Sequence, residues 1–336
     1  MSGRNKGGAP GVTELHLHLE GSLPSALAIT LASRLDHAWG RLSVPELNRE
    51  FRFRTFDAFL EVIKKMCRVL SSTVALQTAS KSLSLFLEDH GVLYAEIYFS
   101  PHIFGRWGLS FDDSSNAVCK GFDEGESEGG ADCRILYDTV RQWGPEPAES
   151  ILRDHERTSL KRAVGFGIGG DETEPLERFV DVFSRARDLG LRTTAHAGEL
   201  GPPGDVATAI DRLKVDRVAH GIRALEDPGL IREIVSRRIP LDLALTSNYR
   251  TGAVRGLHPV RQLLDAGVIV TLNTDDPGIF RTSPTSEFKR AARWAGIKPT
   301  ELDRIAENAI SASFADDSTR AGLLEALSNR RNERKV

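Results

Sequence analysis

Short apolar segments alternate with longer segments of helical periodicity along most of the chain. Eight of the short segments occur, at residues 13–18, 93–99, 133–137, 163–168, 191–196, 217–220, 239–245 and 268–273. Several lack the polar alternation of a half-exposed strand, as is typical of parallel strands buried on both faces, and stretches such as residues 176–189 suit crossover helices. The pattern predicts an α/β protein with a (β/α)8 TIM barrel. The length of 336 residues lies within the range of about 200 to 400 for that fold.

The chain is expected to form one barrel domain over residues 12–328, because no linker or internal repeat divides it. Residues 1–11 are polar and Gly-rich, which predicts a disordered lead-in without the apolar stretch of a signal or membrane anchor. Residues 329–336 are predicted to form a charged, solvated C-terminal tail. Residues 112–132 are acidic and Gly-rich, which predicts a solvated helix with loops.

The interval between the first two predicted strands, residues 21–91, is too long for a single crossover helix. It predicts extra helices inserted after the first strand, over the barrel mouth. The interval contains an aromatic cluster of Phe51, Phe53, Phe56 and Phe59. Such a cluster belongs to a core more often than to a binding surface, by roughly three to one, but its position over the mouth also suits a lid.

Charge and cysteine content narrow the classes of partner and of metal site. Acidic residues number 47 against 44 basic ones, the net charge is -3, and no sustained basic run occurs, so we expect no nucleic-acid partner and no membrane partner. Cys67, Cys119 and Cys133 form neither a disulfide framework nor a Cys-x-x-Cys pair. That usage favours a reducing compartment, the cytoplasm, and leaves any metal to histidine and carboxylate.

Polar residues collect where several predicted strands end. His16 and His18 lie two apart on the first strand and therefore project from one face, although such a pair alone is more often a pair of core histidines. The fifth, sixth and eighth predicted strands end at His196, His220 and Asn273, the last followed by two aspartates. A barrel brings such ends together in one pocket at its C-terminal face.

Three histidines and a carboxylate suit zinc, which takes imidazole and oxygen ligands and activates water. Glu199, three residues after His196, would stand beside the metal and shuttle protons, and His220 would orient the nucleophile or serve a structural role. The fourth strand ends in residues 169–172 (GGDE) without a lysine that could bridge two metals, which predicts one metal ion. These glycines suit either a flat ligand close to the backbone or a tight barrel turn. The zinc motif of the cytidine-deaminase type is missing.

At this point the chain resembles the adenosine deaminase family of the amidohydrolase superfamily. The matching segments follow the family order: residues 14–21 (ELHLHLEG), 169–172 (GGDE), 196–199 (HAGE), 217–221 (RVAHG), 246–252 (TSNYRTG) and 272–277 (LNTDDP). The resemblance implies one zinc ion per chain, held by His16, His18, His196 and Asp275. It implies that Glu199 protonates N1 of a 6-aminopurine, while His220 and Asp275 position and deprotonate the attacking water.

The resemblance also implies a substrate-binding set of His18, Glu20, Gly170 and Asp276. Asp276 would hydrogen-bond N7 of the purine, and the backbone of Gly170 would meet N3. Adenosine deaminases typically carry aspartate where this chain has Glu20, and a glutamate there resembles branches that act on adenine or on 5′-modified adenosines. Residues 246–252 resemble the nucleoside branches, and residues 137–144 (YDTVRQWG) are similar to aminodeoxyfutalosine deaminases.

The function predicted from the sequence is therefore hydrolytic deamination of a small-molecule 6-aminopurine nucleoside, such as adenosine or aminodeoxyfutalosine, to the 6-oxopurine and ammonia. The alternatives within the fold are an adenine deaminase and another mononuclear amidohydrolase. The alternative of a different class is a non-catalytic protein that binds purine or zinc. The sequence carries no prediction of oligomeric state.

Overall fold

Eight parallel strands form one closed barrel in the computed structural model, which describes residues 11–333. The strands are β1 (Thr13–His18), β2 (Tyr94–Phe99), β3 (Asp132–Val140), β4 (Ala163–Gly169), β5 (Arg192–Ala197), β6 (Arg217–His220), β7 (Leu241–Leu243) and β8 (Val270–Leu272). Each strand pairs with the next in sequence, and a bridge between Leu17 and Asp275 joins the end of β8 to β1. The predicted (β/α)8 barrel is confirmed, with each predicted segment containing or overlapping one strand.

Helices surround this barrel. Their bounds are α1 (Ser25–Ser33), α2 (Val44–Glu50), α3 (Phe56–Val69), α4 (Thr73–Asp89), α5 (Pro101–Phe104), α6 (Phe111–Ser127), α7 (Pro145–Thr158), α8 (Val180–Asp188), α9 (Pro203–Thr208), α10 (Pro228–Arg237), α11 (Leu245–Arg250), α12 (Val260–Asp265), α13 (Pro277–Phe280), α14 (Pro284–Ala295), α15 (Pro299–Ala312) and α16 (Asp317–Glu333). Among residues 11–333, no helix combines the length and apolar character that crossing a bilayer requires. The predicted crossover at residues 176–189 is a 3₁₀ turn followed by α8.

The structure changes two predictions about surface segments, those for residues 112–132 and for the charged segment after residue 328. Helix α6 is solvated on one side only: its Phe122 is fully buried, and a Cβ at Gly121 would collide with the Gln77 carbonyl oxygen of α4. The charged segment after residue 328 continues α16 to Glu333, and the Arg330 guanidinium donates to the Gly91 carbonyl oxygen. Residues 1–10 of the predicted lead-in and residues 334–336 lie outside the described part of the chain.

The insertion between β1 and β2 contains α1 to α4, as predicted. Its phenylalanines pack in two places: Phe51 lies edge-on to Trp39, whereas Phe53 and Phe59 contact Phe280 of α13, with ring centroids 5.8 and 5.2 Å apart. Phe56 and Phe59 also line the cavity described below. The cluster is therefore core on one side and cavity wall on the other, because α3 contacts α13 and also lines the cavity.

A charged network occupies the barrel interior below the mouth. Arg217 is fully buried and pairs with Glu96 at 2.7 Å and with Asp242 at 2.8 Å, and its guanidinium lies 3.8 Å from the centroid of the Phe314 ring. Thr271 donates to the other oxygen of Asp242. The network joins four strands and the segment after α15, and so holds the barrel at the level below the functional residues.

Replacing Arg217 with methionine is expected to lower the free energy of unfolding by about 3–5 kcal/mol, because two buried carboxylates would lose their countercharge. Urea unfolding at pH 7 measures the change. Arg192→Met is the matched control, since the partly exposed Arg192 also pairs with an aspartate and also lies over the Phe314 ring. It is expected to cost about 1 kcal/mol or less. Equal losses in the two variants would show that burial of the Arg217 pair has no special role.

Candidate active site

Four potential metal ligands meet at the C-terminal mouth of the barrel. His16 and His18 project from β1, His196 from β5, and Asp275 follows β8. The Nε2 atom of His196 lies 3.1 Å from Nε2 of His16 and 3.2 Å from Nε2 of His18. Asp275 Oδ1 lies 3.6 and 3.4 Å from the same two nitrogens. His16, His18 and Asp275 form one group that could hold a metal ion, and His16, His196 and His220 form a second that shares His16.

The other ring nitrogens of two of these histidines face main-chain carbonyl groups. His196 Nδ1 lies 2.9 Å from the Ile168 carbonyl oxygen, and His16 Nδ1 lies 3.4 Å from that of Asp242. Such contacts place the proton on Nδ1 and leave Nε2 free as a ligand atom. Burial, reinforced by neighbouring imidazoles, lowers the pKa of His16 and of His18 well below the usual value of 6.5. The imidazoles are therefore neutral, which metal binding requires.

Glu199 and His220 lie next to the histidine and aspartate cluster. His220 Nε2 lies 3.4 Å from Glu199 Oε2 and 3.9 Å from Asp275 Oδ2. His220 and Asp275 have φ angles of +64° and +63°, a left-handed conformation that is uncommon for residues other than glycine. Such conformations persist only where the surroundings enforce them, and they concentrate at functional sites.

Glu199 is a buried carboxyl group whose Oε1 atom accepts two hydrogen bonds. Asn248 Nδ2 and Thr251 Oγ1 donate to its Oε1 atom at 3.2 and 3.0 Å. Burial raises the pKa of Glu199 to about 8, and the negative charges of Asp275 and Glu172 contribute to the shift. Glu199 is consequently protonated at neutral pH, the state that a general acid needs.

The predicted substrate-binding residues lie around the same mouth. Asp276 is buried against Gly21, where a Cβ would collide with Asp276 Oδ1, so only glycine fits at that position. Glu20 Oε1 accepts a hydrogen bond of 2.9 Å from the Ser100 amide. Gly170 has a φ of +109°, a conformation that favours glycine and exposes the backbone after β4.

One cavity of about 530 Å³ connects these groups. All predicted site residues line it except His16, which is fully buried behind the other ligands. The inner end is polar and acidic, whereas the outer end is apolar and aromatic with two cations, and its lining includes Phe56, Leu60, Ile63, Lys64, Arg106, Trp107 and Trp143. The Arg106 guanidinium lies 4.6 Å from the centroid of the Trp143 ring. The cavity therefore suits a ligand larger than a single ring system.

Sequence reasoning missed several polar residues of the site. Asp138, at the end of β3, lines the cavity with Oδ2 3.3 Å from Ser100 Oγ and 4.0 Å from His18 Nδ1. A carboxylate at a strand end was a detectable signal. Asn248 bonds Glu199 and His220, and His258, for which the sequence offered no role, bonds Asn248. Asn248 lies in the matching segment 246–252, but neither residue was assigned a role, because their contacts depend on how the loops after β7 fold back.

Comparisons with known proteins agree with this architecture. The adenosine deaminase family profile matches residues 11–330. The adenine deaminase of Caulobacter vibrioides is 32% identical over 317 residues, covering 94% of this chain and 92% of the relative. The crystal structure of adenine deaminase from Arthrobacter aurescens superposes with a TM-score of 0.91 at 29% identity, covering 96% of this chain and 100% of the other.

A second solved structure carries a metal. An amidohydrolase from Burkholderia ambifaria with bound Zn superposes with a TM-score of 0.88 at 27% identity, covering 96% of this chain and 91% of the other. The family match spans nearly the whole chain, and the described residues include a compatible His and Asp cluster. The chain therefore belongs to the adenosine deaminase family and is a hydrolytic deaminase of adenine- or adenosine-type substrates.

Proposed function

We propose that this protein catalyses the zinc-dependent hydrolytic deamination of a 6-aminopurine nucleoside to the 6-oxopurine and ammonia. The observation that carries the proposal is the meeting of a metal-type donor set with the buried carboxyl group of Glu199 and with His220 at the inner end of one cavity. A protein that only binds purine or zinc needs neither of these two groups in such a position.

The donor set fits a single zinc ion held by His16, His18, His196 and Asp275. Three neutral imidazoles and one carboxylate match the ligand preferences of zinc. Four of the six separations between their ligand atoms are 3.1 to 3.6 Å, close to the edge of a tetrahedral site, which is about 3.3 Å for ligand distances of about 2.0 Å. When bound, zinc supplies an activated water nucleophile near neutral pH. The zinc in the Burkholderia ambifaria amidohydrolase supports the choice of metal.

The chain's own residues perform the proton transfers. Glu199 donates its proton to N1, which makes C6 of the purine electrophilic. Asp275 and His220 hold the attacking water, whose proton passes to this pair as the oxygen bonds to C6. The amino group then takes up the proton held by this pair, the C6–N bond breaks and ammonia leaves. The hydroxyl proton on C6 passes to the Glu199 carboxylate as the 6-oxo group forms, which restores the acid.

Two further groups orient the purine ring. Burial, with added repulsion from Asp275, raises the pKa of Asp276 well above the usual value of 3.8. A protonated Asp276 can donate to N7, which is an acceptor only. The backbone amide of Gly170, which lines the cavity, is assigned to N3.

The cavity outside the ring site supports a nucleoside, and more specifically one with an additional group on the 5′ side. Glu20, Ser100 and Asp138 offer polar contacts beside the ring site, as a sugar requires. Beyond them, Trp143 and Arg106 suit an aromatic group that bears a negative charge. Aminodeoxyfutalosine, an adenosine extended on its 5′ side by an aryl carboxylate, has both features.

Deamination of free adenine is the second candidate. The relatives from Caulobacter vibrioides and Arthrobacter aurescens are named adenine deaminase, and Glu20 replaces the aspartate that is typical of adenosine deaminases. A substrate panel separates the candidates. We expect the zinc-loaded protein to release ammonia from aminodeoxyfutalosine with a kcat/KM at least tenfold above that for adenine, with adenosine and methylthioadenosine between them.

The same substrates are tested with the Arg106→Ala variant. Arg41→Ala, at an exposed position, is its matched control. Arg106→Ala is expected to lower kcat/KM for aminodeoxyfutalosine by roughly 10-fold or more and to leave adenosine unaffected, since only the former bears a carboxylate. A preference for adenine would overturn the nucleoside assignment. Absence of ammonia release from every member by the zinc-loaded protein would overturn the proposed function.

A further inference from the structure

A chain of hydrogen bonds links the main chain of α12 to the two acid–base groups of the site. The Val260 amide lies 3.1 Å from His258 Nδ1, and His258 Nε2 lies 3.1 Å from Asn248 Oδ1. The Asn248 amide nitrogen then lies 3.2 Å from Glu199 Oε1 and 3.1 Å from His220 Nδ1. Asn248, His220 and His258 are all at least nine-tenths buried.

The direction of each bond follows from the first one. The Val260 N–H can only donate, so His258 Nδ1 accepts, and the neutral imidazole of His258 carries its proton on Nε2. Burial lowers the pKa of His258 to about 4, which keeps this ring neutral. Its Nε2–H must therefore meet an acceptor, which is the Asn248 carbonyl oxygen. The Asn248 NH₂ group consequently faces Glu199 and His220, and one hydrogen is available for each.

The same logic locates the protons on the two acid–base groups. His220 Nδ1 accepts from Asn248, so the neutral ring carries its proton on Nε2, the atom that faces Glu199 Oε2 and Asp275 Oδ2. Glu199 Oε1 already accepts from Asn248 and Thr251, so the proton of its neutral carboxyl group belongs on Oε2. The protons on His220 Nε2 and Glu199 Oε2 then both face the cavity.

We propose that Asn248, oriented by His258, is a positioning residue that holds the proton of His220 on Nε2 and the proton of Glu199 on Oε2. This inference rests on the proposed function, because only the deamination reaction uses these two protons. It deepens that function by giving His220 the role of hydrogen-bond donor to the attacking water. The proton released by the water then passes to the Asp275 carboxylate, and the proton of Glu199 Oε2 passes to N1 of the purine.

The test replaces Asn248 with aspartate, which keeps the shape but turns the donor into an acceptor. A carboxylate beside Nδ1 of His220 favours a proton on that atom, and the ¹⁵N chemical shifts of the imidazole report which nitrogen is protonated. Spectra of zinc-loaded, ¹⁵N-histidine-labelled protein, with His220→Gln used for assignment, are expected to show Nε2–H in the wild type and Nδ1–H in Asn248→Asp. The exposed Asn332→Asp is the matched control and is expected to keep the wild-type pattern.

A second pair of variants tests the relay without altering Asn248. His258→Gln retains a donor and an acceptor, whereas His258→Leu removes both. We expect kcat/KM to fall roughly 10- to 100-fold in His258→Leu. In His258→Gln, the logarithm of the loss in kcat/KM is expected to be at most half as large. Equal losses in the two His258 variants would indicate packing alone and would overturn the inference.

An unchanged His220 spectrum in Asn248→Asp would also overturn the inference, whatever happens to activity. The spectra need no turnover and so distinguish this outcome from a failure of the proposed function. If no purine is deaminated and the protons nevertheless move as expected, the placement of the protons stands and the proposed reaction is wrong.

Discussion

Protein stripped of zinc by a chelator is expected to lose all measurable deaminase activity and to regain it when about one equivalent of zinc per chain is returned. The reason is that water near neutral pH is a poor nucleophile without a metal, and no other described group in the cavity replaces that effect. Elemental analysis of the active protein measures the zinc content per chain. Ammonia release during zinc titration measures the recovery of activity. Active protein that contains no zinc would contradict the expectation.

Substitution of a proposed metal ligand distinguishes the loss of zinc from other effects of the chelator. His16 is the best choice because it is fully buried and does not line the cavity, so that it does not contact the substrate itself. His16→Ala is expected to lower zinc content and activity together, while the half-buried His155→Ala retains both. If His16→Ala kept its zinc and lost activity, the proposed ligand set would be wrong.

Zinc should also stabilise the fold, since it binds the folded chain and not the unfolded one. Zinc-loaded protein is therefore expected to melt at a higher temperature than chelated protein. Burial lowers the pKa of His16 and of His18 in the folded state, so protons compete weakly for these ligands. We expect zinc to be retained as the pH falls through 6.5, where an unburied histidine site would begin to release it.

Glu199→Gln is expected to lower kcat/KM by about 10²- to 10⁴-fold with little change in the fold, because glutamine keeps the shape of the side chain but cannot donate the proton to N1. Steady-state ammonia release measures the loss, and circular dichroism checks the fold. Glu325→Gln, at an exposed position of α16, is the matched control and should behave as the wild type. Activity close to the wild type in Glu199→Gln would remove Glu199 from the mechanism.

The pH dependence supplies a second check on Glu199. Its pKa of about 8 means that the acid form dominates below pH 8, so kcat/KM should decline above that value, and the residual rate of Glu199→Gln should lack this decline. The folded pKa lies above the ordinary value of 4.5, so the folded state binds the proton more tightly than the unfolded state. Stability due to this group is consequently lost as the pH rises from about 4.5 to 8, and the stability of Glu199→Gln should vary less over that window.

Much of the fold and of the inner site was predictable from local patterns. Strand and helix periods depend on neighbouring residues, which is why residues 13–18 were predicted with the bounds that β1 has in the structure. The strands β7 and β8 are shorter than predicted, and the apolar run of β7 ends at Leu245, which begins α11. His16 and His18 share a face for the same local reason.

Other features have no local cause. The contacts of Asn248 join residues 10, 28 and 49 positions apart, and the network of Arg217 spans four strands. Phe59 contacts Phe280 and lines the cavity only because the insertion after β1 folds over the mouth. Neither periodicity nor motif spacing specifies such contacts, because they depend on barrel closure and on loop packing.

The amino-acid sequence alone determined the eight-stranded alternation, the histidine and carboxylate donors at the strand ends, and the motifs whose resemblance to the adenosine deaminase family implied the deaminase class. Each of these depends on residue type and on spacing within a few positions. Only the tertiary structure decided that His16 lies behind the cavity, that Asp138 joins the polar wall, and that the Asn248 amide nitrogen lies beside His220 Nδ1. The physical reason is that hydrogen-bond direction and burial are properties of side chains that meet across the barrel, and closure of the barrel brings them together.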